Sequence, residues 1–86
     1  MKLQEILGIN VLRLRRQKNL SQEQLALRAG RTRSYLSSLE AGRRNATLDT
    51  LEVLAEALDV RACDLIRETS NEISTQDGPS DNRANG

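Results

Sequence analysis

The sequence feature that most constrains the fold is a pair of short helices predicted between Ser21 and Gly42. The first helix begins after Ser21, a residue type that caps helix N-termini, and Gln24 completes the S-x-x-Q pattern of a capping box. It ends at Gly30, because glycine readily adopts the left-handed conformation that follows many helices. The second helix begins after Thr32, another N-cap type, and ends at Gly42. So short a link forces a large angle between the helices, which indicates a helix-turn-helix unit at 21–42.

The second helix of this unit combines a buried edge with a face of hydrogen-bonding side chains. The apolar residues of the two helices are Leu25, Ala26, Ala29, Leu36 and Leu39. Five other residues of the second helix can donate or accept hydrogen bonds: Arg33, Ser34, Tyr35, Ser37 and Ser38. A short helix of this kind suits the major groove of DNA, where base edges present donors and acceptors.

Charge is distributed unevenly along the chain, although the formal net charge is only +1 over 86 residues. Residues 13–44 carry nine Lys or Arg residues against Glu23 and Glu40, which gives a net charge of +7. Residues 45–68 carry two Arg residues against six acids, and residues 69–86 carry one Arg residue against three acids. Because the basic segment coincides with the two-helix unit, we predict a polyanionic partner, double-stranded DNA, for one face only. Ordinary solvated surface is the alternative for these charges.

The composition excludes several classes of chemistry. The chain has no His and a single Cys, which excludes His-based catalysis, His metal ligation and an internal disulfide. It also has no Gly-rich phosphate loop and no paired carboxylates in an apolar setting, so we expect no enzyme activity, no cofactor and no metal. Residues 1–10 lack a long apolar run, which predicts no signal peptide, no membrane span and a cytoplasmic location.

The hydrophobic pattern predicts an all-α domain of five helices followed by a polar tail. Aromatic residues make up 1% of the chain, so the core must consist of Leu, Ile, Val and Ala, which favours helices. The predicted helices span residues 3–18, 22–29, 33–41, 48–58 and 62–68. Gly8 weakens the start of the first helix, which is therefore expected to begin properly near Ile9. The domain covers residues 1–68, and residues 69–86, whose one large apolar residue is Ile73, are predicted to be disordered.

Three further residues are assigned from helical periodicity or from residue type. Asn10 falls outside the apolar stripe of the first helix, which indicates a position away from the core. Leu48 belongs to the apolar set that the fourth helix is expected to bury. Cys63, on the fifth helix, is expected to be a small packing residue rather than a reactive thiol.

Several segments resemble the helix-turn-helix domain of lambda-repressor-like, Xre-family regulators. They lie within residues 9–66 and read VLRLR, LSQEQLA, AG, LEAG, RN and LDTLEVLAEALDV. The resemblance implies a five-helix lambda-repressor-like fold and a sequence-specific transcriptional regulator that binds near-palindromic DNA as a homodimer. The segment RSYLSSLEAGRRN is most similar to controller proteins of restriction–modification systems, which regulate their own operon and the endonuclease. Asn19 and Asp59 stand where many members have Gly, and both residue types can adopt such turn positions.

The predicted DNA-binding residues fall into two groups. Arg33 opens the second helix of the unit, and its guanidinium can donate two hydrogen bonds to guanine O6 and N7. The resemblance implies that Arg44, on the loop that follows, also reaches bases. The other candidates are expected at or near the DNA backbone: Gln22, Thr32, Ser34, Tyr35, Ser37, Ser38, Arg43 and Asn45. A phosphate contact or solvent is the alternative for Arg33, and a mainly structural role is the alternative for Tyr35.

Arg15 and Glu40 are predicted to form a structural ion pair. The resembling family pairs an Arg on the first helix with a Glu at the end of the third, and these two residues match those positions. Glu40 is also one of only two acids in the basic segment, which favours a tether over a role in solubility. The expected dimer contacts are Val53, Ile66 and the surface of the fifth helix.

An antitoxin of a toxin–antitoxin pair is the alternative function. Such a protein would bind a partner protein through its tail or its acidic C-terminal half and would regulate its own operon. Ile73 is the one large apolar residue in the tail, which counts against a folded partner interface there. A protein partner, either a toxin or RNA polymerase, therefore stays an open prediction.

Overall fold

The computed structural model of the chain describes residues 1–68, which form five α-helices and no strand. The helices are α1 (Leu3–Gln17), α2 (Gln22–Ala29), α3 (Arg33–Glu40), α4 (Leu48–Leu58) and α5 (Ala62–Ile66). The all-α, five-helix prediction is confirmed, although α1, α3 and α5 each end one or two residues earlier than predicted. The predicted disordered tail, 69–86, lies outside the described residues. Among residues 1–68, no helix has both the length and the apolar character needed to span a membrane.

The turns between helices follow the local chemistry of the sequence. Ser21 Oγ accepts a hydrogen bond from the backbone N–H of Gln24 at 3.0 Å, and the Gln24 side chain accepts one from the Ser21 N–H at 2.8 Å. This reciprocal pair is the predicted capping box. Gly30 ends α2 at φ 67°, and Asn19 and Asp59 also adopt positive φ, at 58° and 56°. The predicted cap and turn residues therefore set both ends of α2, and Asp59 forms the turn that ends α4.

The core is built almost wholly of aliphatic side chains at the meeting point of the five helices. α1 packs against α3, α4 and α5, while α2 packs against α3 and α4. The fully buried positions include Val11, Leu25, Leu39, Leu54 and Leu65. Each of the five comes from a different helix, so one contiguous cluster fixes the orientation of the whole helix-turn-helix unit.

Asn10 is buried, which makes its predicted position away from the core wrong. Its side chain is 1% exposed, and Nδ2 donates hydrogen bonds to the carbonyl oxygens of Leu65 at 2.9 Å and Arg67 at 2.7 Å. The last carbonyls of a helix lack intrahelical partners. Asn10 therefore supplies donors for the end of α5 and holds that helix against α1.

The assignments of Leu48 and Cys63 are also wrong. Leu48 is 80% exposed, because it is the first residue of α4 and lies before the packed part of the helix, whereas Ala55, seven positions later on the same face, is buried. Cys63 is exposed rather than packed. The Arg61 guanidinium donates to Cys63 Sγ at 3.6 Å, and this hydrogen bond, together with electrostatic attraction from the Cys63 and Asp64 side chains, raises the pKa of Arg61 above its ordinary value.

Gly8 does not delay the start of α1, which begins at Leu3. The glycine is buried where α1 crosses the end of α3. A Cβ atom at this position would lie 2.5 Å from the carbonyl oxygen of Leu39 and 2.8 Å from that of Glu40. The absence of a side chain therefore lets the two helices approach, and the low helix propensity of glycine is outweighed by packing.

Candidate nucleic-acid interface

α3 presents a polar face to solvent while its apolar edge is held in the core. Leu36 and Leu39 are buried, whereas Arg33, Ser34 and Ser37 are exposed and Ser38 is half-buried. A shallow concave surface is lined by Arg33, Ser34, Ser37, Ser38 and Arg43. The structure therefore brings four of the five predicted hydrogen-bonding residues of α3 together on one face, in a surface open to a ligand, and Tyr35 is the one that does not line it.

The loop after α3 continues this surface. Gly42 has a φ of 78°, and its carbonyl oxygen accepts a hydrogen bond from Gln4 Nε2 at 3.0 Å. The backbone N–H of Arg43 donates to the Ser38 carbonyl oxygen at 3.0 Å. These two contacts hold the start of the loop against α1 and α3. Arg43, Arg44 and Asn45 are therefore exposed to solvent beside α3.

Tyr35 and Arg44 form a contact that the sequence did not reveal. The guanidinium carbon Cζ of Arg44 lies 4.9 Å from the centroid of the Tyr35 ring. This distance is within the range of a cation–π interaction. Tyr35 is half-buried and packs against the core, and its backbone N–H donates to Thr32 Oγ1 at 3.0 Å. A fixed ring on α3 therefore supports a side chain on the loop.

Arg15 and Glu40 lie together as predicted. Arg15 Nε donates to Glu40 Oε2 at 2.6 Å, and Arg15 Nη2 donates to Glu40 Oε1 at 3.1 Å. The two side chains are only 11% and 5% exposed. Arg15 Nη1 also donates to the Leu20 carbonyl oxygen at 2.9 Å, just before α2. The ion pair is bidentate and largely removed from water. Through Arg15, it joins the end of α3 to α1 and to the residue that precedes the α2 N-cap.

Gln22 also belongs to this network. Its Nε2 donates to Glu40 Oε1 at 2.9 Å. Gln22 is the first residue of α2, where the sequence predicts a phosphate contact. A Gln amide carries two N–H donors, so one remains for a ligand while the other binds Glu40. No spacing rule in the sequence signals this contact, because the two residues lie 18 positions apart.

Arg31 shows that the basic segment does not act as a single surface. Its Nη2 donates to Asp49 Oδ2 at 3.3 Å and to Thr50 Oγ1 at 3.1 Å, which ties the α2–α3 turn to α4. Its other terminal nitrogen donates to the backbone carbonyls of Ala29 and Gly30.

Within residues 1–68, no group of His, Cys, Asp and Glu side chains is arranged to hold a metal ion.

The family of the chain follows from comparison with known proteins. Residues 11–65 match the family model described as Helix-turn-helix, and the chain belongs to that family. It is a DNA-binding transcriptional regulator, homologous to the controller proteins of restriction–modification systems. The resemblance inferred from the sequence motifs is therefore confirmed.

Two relatives and two solved structures illustrate the similarity. The chain is 48% identical over 69 residues to the uncharacterized HTH-type transcriptional regulator y4dJ of Sinorhizobium fredii, covering 80% of this chain and 90% of y4dJ. It is 51% identical over 59 residues to the control protein C.SmaI of Serratia marcescens, covering 69% and 70%. The crystal structure of the controller protein C.AhdI from Aeromonas hydrophila matches with a TM-score of 0.70 at 40% identity, covering 72% of this chain and 94% of C.AhdI. The crystal structure of the hypothetical transcription factor NHTF from Neisseria matches with a TM-score of 0.78 at 35% identity, covering 84% of this chain and 83% of NHTF.

Proposed function

We propose that the chain acts as a restriction–modification controller that binds near-palindromic operator DNA as a homodimer. The observation that carries this proposal is the concave surface formed by α3 and Arg43, which presents hydrogen-bond donors and positive charge. The α3 helix, with one exposed polar face, fits into a major groove. The similarity to C.SmaI and C.AhdI, which are controller proteins by name, supports this role over that of an antitoxin.

The site residues divide between base edges and phosphates in the proposed complex. Arg33 lies at the N-terminus of α3 and donates to guanine, while Arg44 reaches bases from the loop. Thr32 and Gln22 lie at two helix N-termini, where backbone N–H groups and the helix dipole favour phosphate. The remaining candidates contact backbone or read bases weakly: Ser34, Tyr35, Ser37, Ser38, Arg43 and Asn45.

A homodimer places two copies of α3 in successive major grooves. Their separation on the DNA is then one helical turn, about 34 Å. Ile66 on α5 is 39% exposed and Leu3 is 59% exposed, and both line the same apolar groove. This groove, which Leu51 of α4 also lines, supports Ile66 as a dimer contact. Val53 lies two positions after Leu51, about 200° away around α4, and so belongs to a different surface.

Footprinting on the DNA upstream of the protein's own gene tests the proposed function. We expect two protected half-sites whose centres are about 10–10.5 base pairs apart. Binding should weaken as salt rises, because phosphate contacts release counterions. A scrambled duplex of equal length and composition is the control. Equal affinity for both duplexes would contradict sequence-specific regulation, and a single protected half-site would contradict the dimer.

Replacement of Arg33 tests direct base readout. We expect Arg33→Ala to lower the ratio of operator to scrambled-DNA affinity by about 5- to 150-fold, the equivalent of about 1–3 kcal/mol for a bidentate contact to guanine. Arg33→Lys is the matched control, since it keeps the charge but not the planar fork of donors. It should retain scrambled-DNA affinity while losing operator preference. Equal weakening on every duplex would instead identify Arg33 as a phosphate clamp.

A further inference from the structure

Arg44 depends on Tyr35 for its support. Arg44 is exposed and follows the turn at Gly42, and no ion pair engages it within residues 1–68. Its guanidinium instead lies over the Tyr35 ring, with Cζ 4.9 Å from the ring centroid. A free Arg side chain samples many rotamers, and this freedom must be lost when it binds in one orientation. A contact that restricts Arg44 before binding therefore reduces the cost of binding.

The geometry of the contact leaves Arg44 able to bind a ligand. The ring occupies one face of the guanidinium, whereas the N–H donors of Arg lie in the guanidinium plane and point outward from its edge. An Arg that is stacked in this way can still present two parallel donors to guanine O6 and N7. Ion pairing with a carboxylate would consume the same donors, so an aromatic ring is the better support for an Arg that must bind.

Tyr35 is suited to be the fixed partner. It lies in the first turn of α3, its N–H is engaged by the Thr32 cap, and its ring is packed against the core. The ring has only two rotatable side-chain bonds, so little freedom is lost when it is held in place. Its position on α3 also links the loop to the helix that enters the groove.

We infer that Tyr35 is a positioning residue whose ring pre-orients the Arg44 guanidinium for sequence readout. This inference rests on the proposed DNA-binding function. It assigns the effect to the face of the ring and not to the hydroxyl, which is the group of Tyr35 able to donate a hydrogen bond to a phosphate. The contribution of Arg44 to discrimination between DNA sequences then requires an aromatic side chain at position 35.

A double-mutant cycle on DNA binding tests the inference. Tyr35→Phe keeps the ring and removes the hydroxyl, while Tyr35→Leu removes the ring. We expect Phe to preserve the ratio of operator to scrambled-DNA affinity and Leu to lower it about two- to fivefold, the range for an exposed cation–π contact. In an Arg44→Ala background, the change from Tyr35 to Leu should leave the ratio unaltered.

Several outcomes would overturn the inference. If Phe lowers the ratio as much as Leu, the hydroxyl is responsible; if Leu has the same effect with and without Arg44, the two residues act independently. If the wild-type protein discriminates but Tyr35→Leu discriminates equally well, the ring has no positioning role. Failure of the wild-type protein to discriminate would instead count against the proposed function.

A second measurement leaves Tyr35 unchanged, so it does not depend on whether a variant at this partly buried position folds. Tyr35 is the only aromatic residue among Phe, Trp and Tyr in the chain, so its ring signals in an NMR spectrum are unambiguous. We expect Arg44→Ala, an exposed substitution, to shift these ring signals in the free protein. Arg43→Ala is the matched control one residue earlier and should leave them in place. Unchanged ring signals in Arg44→Ala would show that the stacked state is not populated.

Discussion

Glu40→Ala is expected to lower the free energy of unfolding by about 3–5 kcal/mol, because it leaves the guanidinium of Arg15 largely buried without its carboxylate. The two side chains are 11% and 5% exposed, so little water is available to replace the lost partner. Gln22 loses its acceptor at the same time. For a domain of this size, the melting temperature should fall by about 12 °C or more. DNA binding is then lost indirectly, through unfolding.

Thermal unfolding followed by circular dichroism measures this effect. Arg67→Ala is the matched control, because the Arg67–Asp64 pair is equally short at 2.7 Å but its side chains are 54% and 28% exposed. An exposed pair contributes at most about 1 kcal/mol. An unchanged melting temperature in Glu40→Ala, or one that falls no further than in Arg67→Ala, would contradict a structural role for the pair.

A double variant separates the interaction energy of Arg15 with Glu40 from the energies of their contacts with other residues. Replacing both Arg15 and Glu40 by apolar residues, as in Arg15→Met with Glu40→Leu, removes both charges together. Such replacements are often close to neutral, whereas removal of one partner is costly. We therefore expect the double variant to be less destabilised than the sum of its single variants. Additive costs would mean that the two side chains do not interact energetically.

The parts of the fold that the sequence predicted are those that depend on residues close together in the chain. The Ser21 capping box and the glycine that ends α2 span only a few positions, so their geometry is encoded locally. The five helices follow from aliphatic periodicity in the same way. The Arg15–Glu40 pair was found through the family resemblance, not through local spacing, since 25 positions separate the two residues.

The contacts that the sequence did not predict join residues that are distant in the chain. Asn10 binds the carbonyl of Leu65, 55 positions away, and its helical register alone gave the wrong side. Periodicity marks where a helix is apolar, but it does not show that a polar group inside the core has found partners. The stacking of Arg44 on Tyr35 likewise depends on the path of a turn that begins at Gly42.

Local propensity was misleading at Gly8. A glycine inside a helix costs about 1 kcal/mol relative to Ala, which is why the sequence suggested a delayed start for α1. The helix nevertheless runs through Gly8, because the missing side chain allows close packing on the last carbonyls of α3. On helix propensity alone Gly8→Ala would stabilise the protein, whereas the close approach of α1 to α3 makes the same substitution destabilising.

We expect Gly8→Ala to destabilise the protein by about 2 kcal/mol, since overpacking at about 3 kcal/mol exceeds a propensity gain of about 1 kcal/mol. The added methyl would meet backbone oxygens at 2.5 and 2.8 Å, and backbone cannot rotate away as a side chain can. Thermal unfolding should show a melting temperature about 8–16 °C lower.

Gly30 is the control, since a Cβ there meets nothing within 4 Å and only its φ of 67° opposes a side chain. Gly30→Asn should therefore be milder than Gly30→Ala, because Asn tolerates this φ, while Gly8→Ser should be at least as harmful as Gly8→Ala. A higher melting temperature in Gly8→Ala would show that propensity outweighs the approach of α1 to α3.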